Sequence, residues 1–440
     1  MSLLRSAVVP AAVAALASVS VPTSCFGFAD FAGGGVTLNT EGRLTYDSYF
    51  IGAKTLGDDE YYASLQPQLK YVRKAGLAQI DGYAGIDIIR YRTYKEFNSE
   101  DFSAGLHTEL PVDEGSRISG SANLTYAESK AVDYTVFDRI PTKTLAASFA
   151  ANYKLGLKMG LSDVLDYANT SRRRYSDQST FSNNFTFSYN DFLEGTTLGL
   201  SHGYIRTTSS GDNILNADLD QTSNAFSASV SHPIVGQLIA EGSYGYRVLH
   251  RSASESFVHQ TGQKGSFYTL GLKGPFLPPS RFPKLQSSAS ITYSEAKSPG
   301  INDLGQKTVT GDMSISWAAR ERTQIAFKAA RSVDLSATDL SVVNSQINLS
   351  VDEKVGYATH VQAQVGYSWR DYRGVNRNDK TLDASLSAQH TLTHDWSTGA
   401  SYTYQKNTTN AENSSALLAY RMRAFNYDRH MISIFVTNIF

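Results

Sequence analysis

From Val36 onward the chain alternates apolar and polar residues with a period of two, in segments separated by turn-forming stretches rich in Gly, Asn, Asp and Ser. Period two is strand geometry, because successive side chains on a pleated backbone point to opposite faces. Between Ser116 and Tyr126, one face carries Ile118, Gly120, Ala122, Leu124 and Tyr126, while the other carries Ser119, Ser121, Asn123 and Thr125. Farther along, Val361, Ala363, Val365, Tyr367 and Trp369 oppose His360, Gln362, Gln364, Ser368 and Arg370, and Leu382, Ala384, Leu386 and Ala388 oppose Thr381, Asp383, Ser385 and Ser387. One face suits hydrocarbon and the other suits water. The segments run to about ten to fourteen residues, the length a tilted strand needs to cross a bilayer.

Strands are expected to begin near Val36, Glu60, Leu77, Asp101, Arg117, Lys143, Leu157, Phe181, Thr196, Thr222, Gln237, Ser266, Lys284, Thr308, Thr323, Val342, Thr359, Thr381, Trp396 and Asp428. Twenty strands result, with eighteen as the alternative count. Connections at Lys74–Gly76, Leu155–Gly156, Ala319–Arg322 and Thr393–Asp395 are tight, whereas Ser129–Thr142, Arg251–Gly265 and Asn407–Tyr427 are long and polar. The pattern predicts an all-β fold, a transmembrane antiparallel up-and-down β-barrel with short periplasmic turns and long outer loops. Aromatic placement agrees with it. Tyr46, Tyr126, Tyr204, Tyr246, Tyr293, Tyr367, Trp369, Tyr402 and Tyr404 fall at the upper ends of ascending strands, and Tyr71, Tyr153, Tyr189 and Trp317 at the lower ends of descending ones, which makes two girdles. Pro67 in a strand centre and His202 at a lipid-facing position resist the scheme, and a bulge near each is expected to restore it.

Composition narrows the reading further. Tyr (26) and Phe (21) are abundant and charged residues are only 18% of the 440 residues, which is strand chemistry and not helix chemistry. A mean hydropathy of -0.28 decides nothing, since alternating barrel strands average to a soluble value. The formal charge of -1, without a basic stripe, excludes nucleic acid as the expected partner. The single cysteine, Cys25, excludes an internal disulfide framework. It lies in a segment that reads as a signal peptide, with Arg5 followed by an apolar Ala7–Val21 stretch and small residues Gly27 and Ala29 before Asp30. Residues 1–29 are therefore expected to be removed, leaving a barrel over 30–440, and no stretch is apolar enough for a transmembrane helix.

The last segment places Ile432, Ile434, Val436 and Phe440 on one face, and resembles the C-terminal signal read by the bacterial barrel assembly machinery. Asn438 departs from that alternation. Three stretches, Leu44-Thr45-Tyr46-Asp47-Ser48-Tyr49-Phe50, Ala63-Ser64-Leu65-Gln66-Pro67 and Tyr427-Asp428-Arg429-His430, resemble the β-barrel porin type 2 family. That resemblance implies an outer-membrane, porin-like channel associated with exopolysaccharide export, acting with a periplasmic polysaccharide export protein.

Closing twenty strands gives a backbone diameter of roughly 40 Å, too wide for side chains to fill. No N-terminal plug is expected, so any constriction must come from outer loops, with Asn407–Tyr427 the longest candidate. The charges at inward positions are Glu41, Arg43, Lys70, Asp81, Asp87, Lys154, Glu241, Arg247, Asp312, Lys328, Arg370 and Asp383, of both signs, so no strong ion preference follows. Tyr62, Tyr83 and Tyr91 fall at inward positions too. The expected role is passive or partner-gated passage of hydrophilic solutes, without enzymatic activity, cofactor or metal. The alternatives are a structural or adhesive barrel with loop-borne function, or a hydrolase built on His250 and Ser252, which lacks an evident acid partner. Arg172, Arg173 and Arg174 in an outer loop could meet lipopolysaccharide phosphates.

Overall fold

The computed structural model describes residues 29–31, 33–50, 59–76, 78–110, 116–133, 138–172, 177–210, 219–253, 263–278, 280–296, 306–335, 341–372, 376–410 and 426–439. A short strand, β1 (Ala29–Phe31), precedes twenty long ones. They are β2 (Gly34–Asp47), β3 (Glu60–Ala75), β4 (Ala78–Tyr91), β5 (Ser99–Leu110), β6 (Ile118–Asp133), β7 (Asp138–Lys154), β8 (Met159–Arg172), β9 (Asp177–Tyr189), β10 (Thr197–Ser210) and β11 (Leu219–Val235). The series continues with β12 (Leu238–Ala253), β13 (Gln263–Lys273), β14 (Leu285–Ala296), β15 (Gln306–Arg320), β16 (Thr323–Leu335), β17 (Ser341–Val355), β18 (Thr359–Tyr372), β19 (Arg377–Thr391), β20 (Trp396–Thr409) and β21 (Tyr427–Ile439). The one helical element described is a 3₁₀ turn at Lys95–Phe97.

Each long strand pairs antiparallel with the next, and β21 pairs with β2 from Ile439↔Asn39 to Met431↔Asp47, which closes the ring. Followed once around, the ladder returns to β2 displaced by about 24 residues, and for twenty strands that stagger sets a tilt of about 40° and a backbone diameter of about 40 Å. One hand of the alternation stays continuous through every pairing and meets itself at the closure. On it lie the polar residues, including the buried Thr45, Asp47, Glu60, Arg377, Asp379, Thr381, Asn407, Arg429 and Ser433. The opposite hand exposes Leu65, Leu106, Leu124, Phe149, Leu200, Phe226, Leu270, Ile291, Leu349, Val365, Leu386 and Ile432. The polar hand faces the lumen and the apolar hand faces out.

Boundaries at the short-turn end fall within two residues of expectation, while several strands that start at the long-loop end begin earlier, such as β7 at Asp138 and β9 at Asp177. Consequently the stretch 129–142, expected as a long loop, is mostly an extended hairpin of β6 and β7 paired out to Asp133↔Asp138. Backbone pairing continues there beyond the stretch of strict apolar and polar alternation, so periodicity gives no sign of it.

Neither expected bulge occurs. The register runs unshifted through Pro67 and His202, and among the described residues shifts appear only between Pro233 and Val235 and between Ala318 and Arg320, at short turns. Pro67 is accommodated differently: it stays opposite Thr40 of β2, but pairing with β4 lapses between Leu65↔Ile88 and Gln68↔Gly85, because proline offers no N–H. The aromatic girdle residues lie on the outward hand, and several touch across strands, as in Tyr46–Tyr61 (4.9 Å between centroids) and Phe181–Tyr204 (6.2 Å) at the long-loop end and Phe282–Trp317 (5.2 Å) at the other.

Candidate functional site

The inner wall is the candidate site, and it is built by register alone. All of the inward charges named above fall on the polar hand, distributed around the ring. Glu41 and Arg43 of β2 satisfy each other, with Arg43 Nη2 2.8 Å from Glu41 Oε1 and the guanidinium 4.8 Å from the centre of the Phe435 ring. Lys70 sits between Thr37 and Tyr83, and Asp81 accepts from Gln79 Nε2 at 2.8 Å. Asp87 stands opposite Asp101 on β5. Lys154 lies beside Gly160 at the short-turn end, and Glu241 between Ser231 and Gly271. Arg247 lies over Phe267 at 5.4 Å, Asp312 accepts from Ser290, and Lys328 stands between Ser314 and Asn348. Arg370 faces Asp379, and Asp383 accepts from Gln405 Nε2 at 2.8 Å. Charges of both signs alternate with Ser, Thr, Asn and Gln, so the wall is polar, and among the described residues no ring of one sign forms.

Inward aromatics lie flat against this wall. Tyr83 covers Gly105, Phe267 covers Gly245 and Phe435 covers Gly399, and a Cβ at any of these glycines would collide with the ring. The glycines thus keep large rings on the wall and out of the lumen.

Beside the Pro67 gap the wall holds a cavity of about 440 Å³, lined by Glu41, Gln66, Gln68, Asp87, Asp101 and Ser103 among others. Above it, toward the long-loop end, the lumen side is packed. Phe50 is fully buried against Tyr91, Tyr94 and Phe97, stacked on Tyr94 at 5.0 Å and 7°, and Arg139 lies 4.3 Å over its ring while donating to Tyr91 Oη at 3.0 Å. Glu60, 1% exposed, fixes this layer by accepting from the backbone N–H groups of Arg92, Thr93 and Tyr94 at 3.0–3.1 Å. A second buried layer joins Arg377, Asp379 and Tyr372, with the Arg377 guanidinium 4.1 Å over the Tyr372 ring, and Asn407 accepts from Thr381 at 2.9 Å.

Sequence reasoning did not single out Asp101, Glu60, Arg139, Arg377 or Asp379. A carboxylate that binds backbone amides from another hairpin leaves no local signature.

The segments that carried the family resemblance meet at the closure. Arg429 Nε donates to Asp47 Oδ1 at 2.8 Å with both groups buried, Thr45 bonds Ser433 at 2.9 Å, Tyr49 stacks on Tyr427 at 5.2 Å, and His430 N donates to Ser48 Oγ at 2.8 Å. Ala63 faces Leu44 on the next strand. These residues form the β21–β2–β3 seam.

Residues 1–28 of the expected signal segment 1–29, Phe440, Arg173, Arg174 and residues 411–425 of the expected long loop lie outside the described residues. Ile432, Ile434 and Val436 share the outward hand of β21 with Asn438. His250 lies on the outward hand of β12, the side chain of Ser252 lies outside the described residues, and the inward tyrosines Tyr62 and Tyr91 belong to the packed layer. No group of three metal-ligating side chains assembles among the described residues.

A family model described as "Putative beta-barrel porin 2" matches residues 290–420, which bears out the resemblance over β15 to β20. The seam segments lie outside that stretch. Among curated proteins none matches the chain. Of solved structures, the ferric-catecholate import receptor Fiu of E. coli K12 in its open form is similar at a TM-score of 0.51 and 9% identity, over 91% of this chain and 81% of that one. A mutant of the ferric enterobactin receptor of Pseudomonas aeruginosa is similar at 0.50 and 8% identity, over 91% and 81%. These likenesses concern the barrel fold.

Proposed function

We propose, with the porin family match and the closed barrel as premises, that this chain is an outer-membrane channel for hydrophilic solutes. The observation that carries the reading is a ring about 40 Å across whose inner hand carries charged, amide and hydroxyl side chains all the way round and whose outer hand is predominantly apolar between aromatic girdles. Residues 1–29 serve as the export signal, and the barrel assembly machinery reads the last strand. The finer reading, carried by the family resemblance, is passage of exopolysaccharide together with a periplasmic export protein. Planar-bilayer recording of the purified barrel tests the channel: stepwise conductance supports it, and a folded barrel that stays silent, also after removal of Asn410–Arg423, overturns it. Transport of defined oligosaccharides into loaded vesicles separates a polysaccharide conduit from a general pore.

The buried layers at the long-loop end favour a second reading, a closed barrel whose loops carry the function. Conductance that appears only in the loop-deleted form would make the layer a gate and not a permanent seal.

A further inference from the structure

On most strands the outward hand between the two girdles is wholly apolar: Leu145, Ala147, Phe149 and Ala151 on β7, Ile325, Phe327 and Ala329 on β16, and Leu382, Ala384, Leu386 and Ala388 on β19. Three adjacent strands break the rule. On β8 the outward residues run Leu161, Asp163, Leu165, Tyr167; on β9, Phe181, Asn183, Phe185, Phe187; on β10, Leu198, Leu200, His202, Tyr204. Asp163, Phe185 and His202 are directly paired across the three strands, and the unshifted register leaves no doubt that Asp163 and His202 point away from the lumen. Asn183 Nδ2 donates to Asp163 Oδ1 at 2.7 Å. The His202 ring rests on Phe226 at 4.5 Å, and among the described residues its nitrogens have no hydrogen-bond partner.

Hydrocarbon offers neither a carboxylate nor an imidazole a partner, so a lipid-facing wall is a poor place for both. We infer that this face is covered by a second copy of the chain. The patch is self-complementary: an acceptor pair, Asp163 with Asn183, stands on one side of Phe185 and a donor, His202, on the other. A two-fold axis parallel to the barrel axis and passing over Phe185 sets the His202 of each copy opposite the Asp163–Asn183 pair of the other, and packs Phe185 against itself. A lone acceptor would call for an unlike partner. A matched donor and acceptor at this spacing satisfy each other in an isologous dimer.

The inference rests on the outer-membrane reading, and the experiment separates the two. In a Cys25→Ser background, Phe185→Cys, the position on the proposed axis, is expressed as the full chain and oxidised in isolated membranes, with Val365→Cys and Leu386→Cys on distant strands as controls. The expected result is a disulfide dimer of twice the chain mass at 185, at least tenfold above the controls. Adding Asp163→Leu with His202→Leu lowers that yield at least fivefold, while heat-modifiable migration shows the barrel still folded. Equal cross-linking at the controls, a cross-linked species of any other mass, or an unchanged yield in the double-leucine variant would overturn the dimer and leave the channel reading intact. A chain absent from the membrane fraction would overturn both.

Discussion

The Asp47–Arg429 pair shows how much a single residue can matter in this wall. Both groups are removed from water, so deleting one partner leaves the other charge buried without compensation, whereas replacing both is far milder. Asp47→Leu is therefore expected to destabilise the folded barrel by about 3–5 kcal/mol, and Asp47→Leu with Arg429→Leu to recover much of the loss. Guanidinium unfolding in detergent, followed by tryptophan fluorescence, reads the difference. Equal losses in the single and double variants would refute the coupling. A steric contrast is expected at Gly399, beneath Phe435. Gly399→Val should displace the ring and loosen the seam, while Gly35→Val, where a Cβ meets nothing within 4 Å, should be tolerated.

Among the elements, β3 and β21 carry the sharpest expectations. Pro67→Val restores an N–H to β3 at the point where pairing with β4 lapses. Slower amide exchange around Ile86 and Asp87 is expected, along with a modest gain in stability of about 1 kcal/mol. Unchanged exchange there would mean that the gap does not stem from the missing N–H. In β21, deletion of Phe440 is expected to lower the yield of folded, heat-modifiable barrel, because the closing strand must be recognised before it can cover the edge of β2. The elements also show what a sequence discloses. Segments such as 361–369 and 382–388 were legible as strands, since an apolar outer hand and a polar inner hand impose strict alternation. The extensions of β6 and β7 beyond the girdle were not, because the strict alternation of apolar and polar residues stops there although backbone pairing goes on. Among the lumen charges, parity placed each on its hand, since register propagates without error over long pairings. The partners of those charges were hidden: whether Arg43 meets Glu41 or Phe435 depends on packing across a seam that joins distant parts of the chain.

For the whole molecule, the mixed charge of the wall predicts weak ion selectivity, and single reversals should tilt it. Asp312→Lys should shift the reversal potential in a salt gradient toward anions and Arg370→Glu toward cations, whereas Ile315→Leu on the outward hand should leave it unmoved. A reversal potential that ignores both lumen variants would place the conducting path elsewhere. The seam has a consequence for manufacture. Asp47 and Arg429 are 382 positions apart, and their buried pair forms only when the last strand docks on the first long one in register. A ring closed one hairpin early, or slipped by two residues, would shut a carboxylate or a guanidinium away from water without its counterpart. Faulty closures are thereby penalised at the final step, and the joint acts as a self-inspecting lock on strand number.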